Sequence, residues 1–153
     1  MAAPLRVLFL CTGNSARSQM AEGLLRFFGN DDFDVSSAGS APHGMNPRAV
    51  QVMGELGIDI APQRSKHLNE FRDQPFDYVI TLCDPAHEEC PALPGDPERI
   101  QWRYPDPVAV VDDQEAQLRV FRKVRDEMSE RLRLWILNQR KLLREHDASS
   151  DLA

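Results

Sequence analysis

The sequence predicts an α/β fold, a four-stranded parallel sheet with helices on both faces. Two observations carry this. Four short stretches rich in apolar residues, 5–10, 33–38, 76–82 and 99–104, read as strands. Segments with helical spacing or helix-start signals alternate with them. Such alternation makes successive strands parallel and covers the sheet with helices. A length of 153 residues suits one domain with a sizeable core. We assign a single domain to residues 1–145 and expect the small, polar tail 146–153 to be disordered.

The first strand is almost wholly apolar and runs directly into Cys11-Thr-Gly-Asn-Ser-Ala-Arg17-Ser18. Met20, Ala21, Leu24, Leu25 and Phe28 then fall at helical spacing, so the order is strand, tight loop, helix. Gly29-Asn30 is a stop signal, and 33–38 is the second strand. After a loop, Asn46 caps a helix with Pro47 at its first position. Val50, Met53 and Leu56 mark one face of that helix, and Gly57 ends it. Residues 58–60 are extended, and a short helix follows Ser65 through Leu68 and Phe71. The third strand ends at Cys83. The segment Asp84-Pro-Ala-His-Glu-Glu-Cys90 and a Pro/Gly-rich loop lead to the fourth strand, closed by Pro105-Asp106-Pro107. From about Asp113 a long helix runs to Leu142 or Leu143, with Leu118, Phe121, Val124 or Arg125, Met128, Leu132 and Trp135 as its buried stripe.

Composition narrows the function classes. The chain is 42% hydrophobic and 27% charged, as expected for a globular protein. No apolar run approaches the ~20 residues of a membrane span. The first residues do not read as a secretory signal, so the expected location is the cytoplasm, without a membrane partner. A net charge of −6 argues against a nucleic-acid partner. It also supplies no long-range attraction for an anion, so anion affinity has to be local. Three cysteines in such a chain argue against a structural disulfide framework and leave reactive thiols, a metal site or core packing.

The loop after the first strand answers the need for local affinity. Thr12, Gly13, Asn14, Ser15, Ala16 and Arg17 lie between a strand and a helix N-terminus, where backbone amides converge on an anion. Arg17 offers a planar fork to two oxygens of a tetrahedral oxyanion. Cys11 is the candidate nucleophile: the helix N-terminus and the guanidinium both favour its thiolate, and Ser18 is placed to donate to the sulfur. A cysteine ending a buried strand is often only a core residue. The strand, loop and helix around Cys-x5-Arg favour the chemical role.

In parallel sheets the ligand sits at the C-terminal ends of the strands. Cys11, Cys83 and Asp106 each follow a strand, so all three are expected at one sheet edge. Asp106, held between two prolines, suits a general acid. Cys83 and Cys90 would be about 10 Å apart in a helix. A disulfide needs Cα atoms within ~7 Å, so the pair bonds only if the segment unwinds. A zinc site from Cys83, His87, Cys90 and Cys11 is a weaker alternative, because the spacing lacks Cys-x2-Cys; no metal is expected. Asn14, Glu22 and Ser37 are candidate supports of the loop. His43, His67 and His87 read as surface or loop residues without a catalytic role.

Residues 7–22, Ser37-Ala-Gly39, Cys83 with Cys90, and Tyr104-Pro-Asp-Pro107 together resemble the arsenate reductases built on the low-molecular-weight tyrosine phosphatase fold. The resemblance spans nearly the whole chain. It implies that Cys11 attacks arsenate held by the loop and Arg17, that Ser18 stabilises the thiolate and that Asp106 protonates the departing oxygen. It further implies that Cys83 attacks the Cys11 adduct, releasing arsenite, and that Cys90 moves the disulfide to Cys83–Cys90. No bound cofactor is implied. Electrons would come from thioredoxin, fed by NADPH through thioredoxin reductase, with glutaredoxin and glutathione as the other route. Phosphate and sulfate would compete with arsenate. Some relatives bind potassium through Asn, Glu, Ser and Asp; here Asn14, Glu22 and Ser37 match, but Lys66 stands at the Asp position, so no potassium dependence is expected. Two other functions fit parts of the pattern. A low-molecular-weight protein tyrosine phosphatase needs only Cys11, Arg17 and Asp106. A non-enzymatic sensor of arsenite or zinc would use the three cysteines as ligands.

Overall fold

Strand β1 (Leu5–Leu10) is the centre of the molecule, and its last four residues are completely buried. In the computed structural model, which describes residues 3–86, 88–95, 97–109 and 113–151, it pairs with β2 (Phe33–Ala38) on one side and β3 (Tyr78–Thr81) on the other. Strand β4 (Glu98–Gln101) adds beyond β3, giving the order β2-β1-β3-β4 with every pair parallel. The chain winds outward from β1 to β2, then returns across β1 to place β3. That reversal opens a crevice at the C-terminal end of β1, where a parallel sheet binds its ligand.

Alternation along β1 divides the core. Val7 and Phe9 face the larger layer, with α1 (Arg17–Gly29), α2 (Pro47–Gly54) and α3 (Gln114–Asp151). Leu8 and Leu10 face the smaller layer, covered by Leu68 and Phe71 of a 3-10 turn, by Phe76 and by Leu93. Both faces are thus covered by helical segments, unequally. Asn46 caps α2 as expected, its side chain accepting from the Arg48 amide.

The structure departs from the sequence reading in four details. Strands β3 and β4 are shorter than 76–82 and 99–104. Trp102 and Tyr104 leave the ladder and are buried in the larger core, their amides still bonded to Thr81 and Leu82 carbonyls. Helix α2 ends at Gly54 and buries Ala49, Val52 and Met53, whereas Leu56 is exposed. On α3 both Val124 and Arg125 are buried, and Ile136 with Gln139 continues the stripe. Trp135 is only half-buried but stacks edge-on to Tyr78 and Trp102, tying α3 to the end of the sheet. Finally, α3 passes Leu143 and continues to Asp151, so residues 146–151, expected in a disordered tail, are helical. No glycine or proline follows Gln114 to stop it.

Candidate active site

The loop between β1 and α1 is shaped from behind by the segment after β2. Ala41, His43 and Asn46 amides bond the carbonyls of Thr12, Gly13 and Ser15, each at 2.9 Å. This draws the loop carbonyls back and leaves the amide side of the loop toward the cleft. The approach is so close that a Cβ on Gly39 would lie 2.4 Å from the Thr12 carbonyl and 2.7 Å from that of Cys11. Only glycine is compatible with that contact. Helix α1 begins behind Ala16, which offers no side-chain oxygen to the first-turn amides. The positive end of the helix is therefore open to a ligand.

Asn14 fixes the loop from within. It is completely buried in the left-handed region, at φ 44°. Its Nδ2 donates to Ser18 Oγ at 2.7 Å and to Ser37 Oγ at 3.0 Å. Its Oδ1 accepts from the Lys66 amide at 2.7 Å and from Gln19 Nε2 at 3.0 Å. Ser37 Oγ in turn donates to Glu22 Oε1 at 2.7 Å. Ser18 Oγ accepts from Asn14 and lies 2.8 Å from Cys11 Sγ, so when the sulfur is a thiolate the Ser18 hydroxyl is its donor. A buried polar chain from Glu22 through Ser37, Asn14 and Ser18 thus ends on the sulfur, with every link satisfied.

Glu22 is buried with two cationic partners, Arg26 at 2.9 Å and Lys66 Nζ at 3.6 Å. Lys66 Nζ also donates to the Arg64 carbonyl at 2.6 Å. Burial holds the Lys66 ammonium below its ordinary pKa, and Glu22 opposes that. The carboxylate and carbonyl oxygens that suit an alkali cation are thus already held by an ammonium. This arrangement does not fit a bound potassium ion.

The cleft over the loop has a volume of about 330 Å³ and is lined by Cys11, Thr12, Arg17, His43, Glu88 and Asp106, among others. Arg17 is buried, its Nη1 donating to the Tyr104 carbonyl at 3.1 Å. Asp106 Oδ2 is 4.0 Å from Arg17 Nη2, and its side chain is partly open to solvent. Burial works against the Arg17 cation, but Glu88, the Cys11 sulfur and Asp106 outweigh it and raise its pKa. Cys83 and Cys90 form a disulfide, with Cα atoms 5.9 Å apart and the described residues between them non-helical. A Cα separation of 5.9 Å is within the reach that a disulfide needs and that a helical segment would exceed. Cys83 is completely buried at the end of β3, where the Leu82 amide bonds the Leu10 carbonyl at 2.9 Å beside Cys11.

The model of the low molecular weight phosphotyrosine protein phosphatase family matches residues 6–148. The chain belongs to this family. Among its relatives is an arsenate reductase of Halalkalibacterium halodurans, 46% identical over 127 residues, 83% of this chain and 91% of that protein. A solved arsenate reductase in its oxidized state superposes with a TM-score of 0.72 at 33% identity, covering 87% of this chain and 97% of the other. A thioredoxin-dependent arsenate reductase of Corynebacterium glutamicum gives a TM-score of 0.67 at 29% identity, covering 92% and 65%. No helix among the described residues is long and apolar enough to cross a membrane.

The phosphatase-family fold brings together the residues singled out in the sequence. Cys11, Arg17 and Asp106 line one cleft, and Asn14, Ser18, Glu22, Ser37 and Lys66 lie behind the loop. His87 lies outside the described residues. Three participants escaped the sequence reading. Gln19 donates to both carbonyl oxygens of Asn14 and to the Arg64 carbonyl. His43 is an exposed loop residue, as expected, and it also lines the cleft. Glu88 forms a two-pronged ion pair with Arg17. A glutamine in an amphipathic helix, a loop histidine and a loop glutamate carry no sequence signal that separates them from surface residues.

Proposed function

We propose that this protein reduces arsenate to arsenite by a relay of three cysteines. The observation that carries the reading is the Cys83–Cys90 disulfide beside a Cys11–Arg17 anion loop. The Cys11 thiolate attacks arsenic while the loop amides and Arg17 hold the oxygens. Asp106 gives its proton to the departing oxygen, which leaves as water. The Cys83 thiolate then attacks Cys11 Sγ. A sulfur–sulfur bond forms, the sulfur–arsenic bond breaks, and its electron pair stays on arsenic, which departs as arsenite. Cys90 attacks Cys83, releasing the Cys11 thiolate and leaving the Cys83–Cys90 disulfide. Thioredoxin reduces that disulfide, becoming a disulfide itself, and NADPH restores it through thioredoxin reductase. The thioredoxin-dependent relative supports this donor. Such chemistry needs a reducing compartment, consistent with the cytoplasm.

The test is arsenate-dependent oxidation of NADPH with thioredoxin and thioredoxin reductase. Turnover is expected in the wild type. Phosphatase activity is the second reading, favoured by Cys11, Arg17 and Asp106 sharing a cleft, and Cys83→Ser separates the two. That variant should abolish arsenate turnover and leave hydrolysis of p-nitrophenyl phosphate within about twofold, because Cys83 serves only the redox half of the chemistry. Equal loss of both activities would overturn the distinction.

Lys66 acts here as a built-in cation beside Glu22. Rates in potassium and sodium chloride at equal ionic strength should agree within about twofold. A strong rise with potassium would overturn this role.

A further inference from the structure

The Arg17 fork is already occupied. Its Nη1 and Nη2 donate to Glu88 Oε2 and Oε1, both at 2.7 Å. The Asp84 amide reaches Oε2 at 3.2 Å, and the Thr12 hydroxyl is 3.4 Å from Oε1. Thr12 Oγ1 also bonds the Glu89 carbonyl at 3.1 Å, pinning the segment to the loop. Burial pushes the Glu88 carboxyl up, but Arg17, the Asp84 amide and Thr12 outweigh it and hold it below the ordinary carboxylate range. A carboxylate is planar, anionic and bidentate, which is what the guanidinium would otherwise find in two oxygens of an oxyanion.

Glu88 lies inside the ring of residues that the Cys83–Cys90 disulfide closes. With Cys83 and Cys90 bonded, their Cα atoms are 5.9 Å apart and the segment folds back over the loop. In a helical segment the same atoms would stand about 10 Å apart. Opening the bond frees the segment to take another path.

We propose that in the disulfide state Glu88 is itself the ligand of the anion cradle. It takes the Arg17 fork, so the oxidised protein excludes arsenate, phosphate and sulfate until a dithiol reduces the Cys83–Cys90 bond to two thiols and is itself oxidised to a disulfide. The inference rests on the reading of Arg17 and its loop as the oxyanion site, and gives that site a redox-dependent competitor. Glu88 is a positioning residue, with no part in bond making.

Inorganic phosphate is the probe, titrated by calorimetry at fixed ionic strength into the full chain, with the disulfide formed and after reduction. Oxidised wild type should bind phosphate at least about tenfold more weakly than reduced wild type, a comparison that needs no variant. Glu88→Gln should recover most of that loss in the oxidised form and change the reduced form by less than about threefold. Glu89→Gln removes the same charge from the exposed rim of the same cleft and should raise the oxidised affinity by less than about twofold. Equal affinity of oxidised and reduced wild type overturns the proposal. So does an equal gain from Glu88→Gln and Glu89→Gln, which would trace the effect to net charge alone. If reduced wild type binds no phosphate, the oxyanion-site reading fails first and the proposal falls with it.

Discussion

Cys11→Ser is expected to lower arsenate reduction by at least about 10⁴-fold, with phosphate binding by the reduced protein retained. The reason lies in two separate uses of the sulfur. As a nucleophile it reacts through its thiolate form, a form that a serine hydroxyl does not supply under the same conditions. As an electron carrier it forms the bond to Cys83, which oxygen cannot form. The binding half does not depend on the sulfur, because Arg17 and the loop amides belong to other residues. The substitution exchanges one small buried side chain for another, with Ser18 Oγ at hydrogen-bonding distance to pair with the new hydroxyl. Its effect on stability should therefore stay within about 2 kcal/mol. Single-turnover arsenite release and phosphate calorimetry on the same sample check both halves. Arsenite release at the wild-type rate would remove Cys11 from the mechanism.

Cys90→Ser should produce the second large effect, a limit of one arsenite per protein. The first two steps need only Cys11 and Cys83, which sit at the ends of neighbouring strands, the Leu82 amide bonded to the Leu10 carbonyl at 2.9 Å. The reaction should then stop at a Cys11–Cys83 disulfide. Cys83 is completely buried, so an external dithiol reaches that bond poorly, whereas Cys90 is half-buried on an irregular segment. Reducing the wild-type disulfide therefore requires Cys90 as the accessible partner. A burst of one equivalent followed by a flat line, read as arsenite per protein, is the expected trace. Sustained turnover at the wild-type rate would make Cys90 dispensable.

The strongly apolar β1, the loop after it and the helical spacing of Met20, Ala21, Leu24 and Leu25 are local features, so they were legible in the sequence. The Asn46 cap with Pro47 was legible for the same reason. Boundaries that tertiary packing sets were less so. Strand β4 was expected to run to Tyr104, but Trp102 and Tyr104 are taken into the core against α3. Leu56 was placed on the buried face of α2, but the helix ends at Gly54, before that face reaches it.

The candidate site divides along the same line. Covalent chemistry is confined to few residue types, so a cysteine and an arginine separated by five residues, between a strand and a helix, mark the site. The parallel order of the strands then places Cys11, Cys83 and Asp106 at one edge. Contacts that depend on how a flexible segment closes carry no such mark. Glu88 makes such a contact, since its pairing with the Arg17 fork joins residues 71 positions apart. The sequence by itself determined the nucleophile, its anion loop and the strand–helix order, because each follows from residue type and short-range spacing. Only the tertiary structure decided what fills the Arg17 fork, because that depends on Glu88, 71 positions away in the chain.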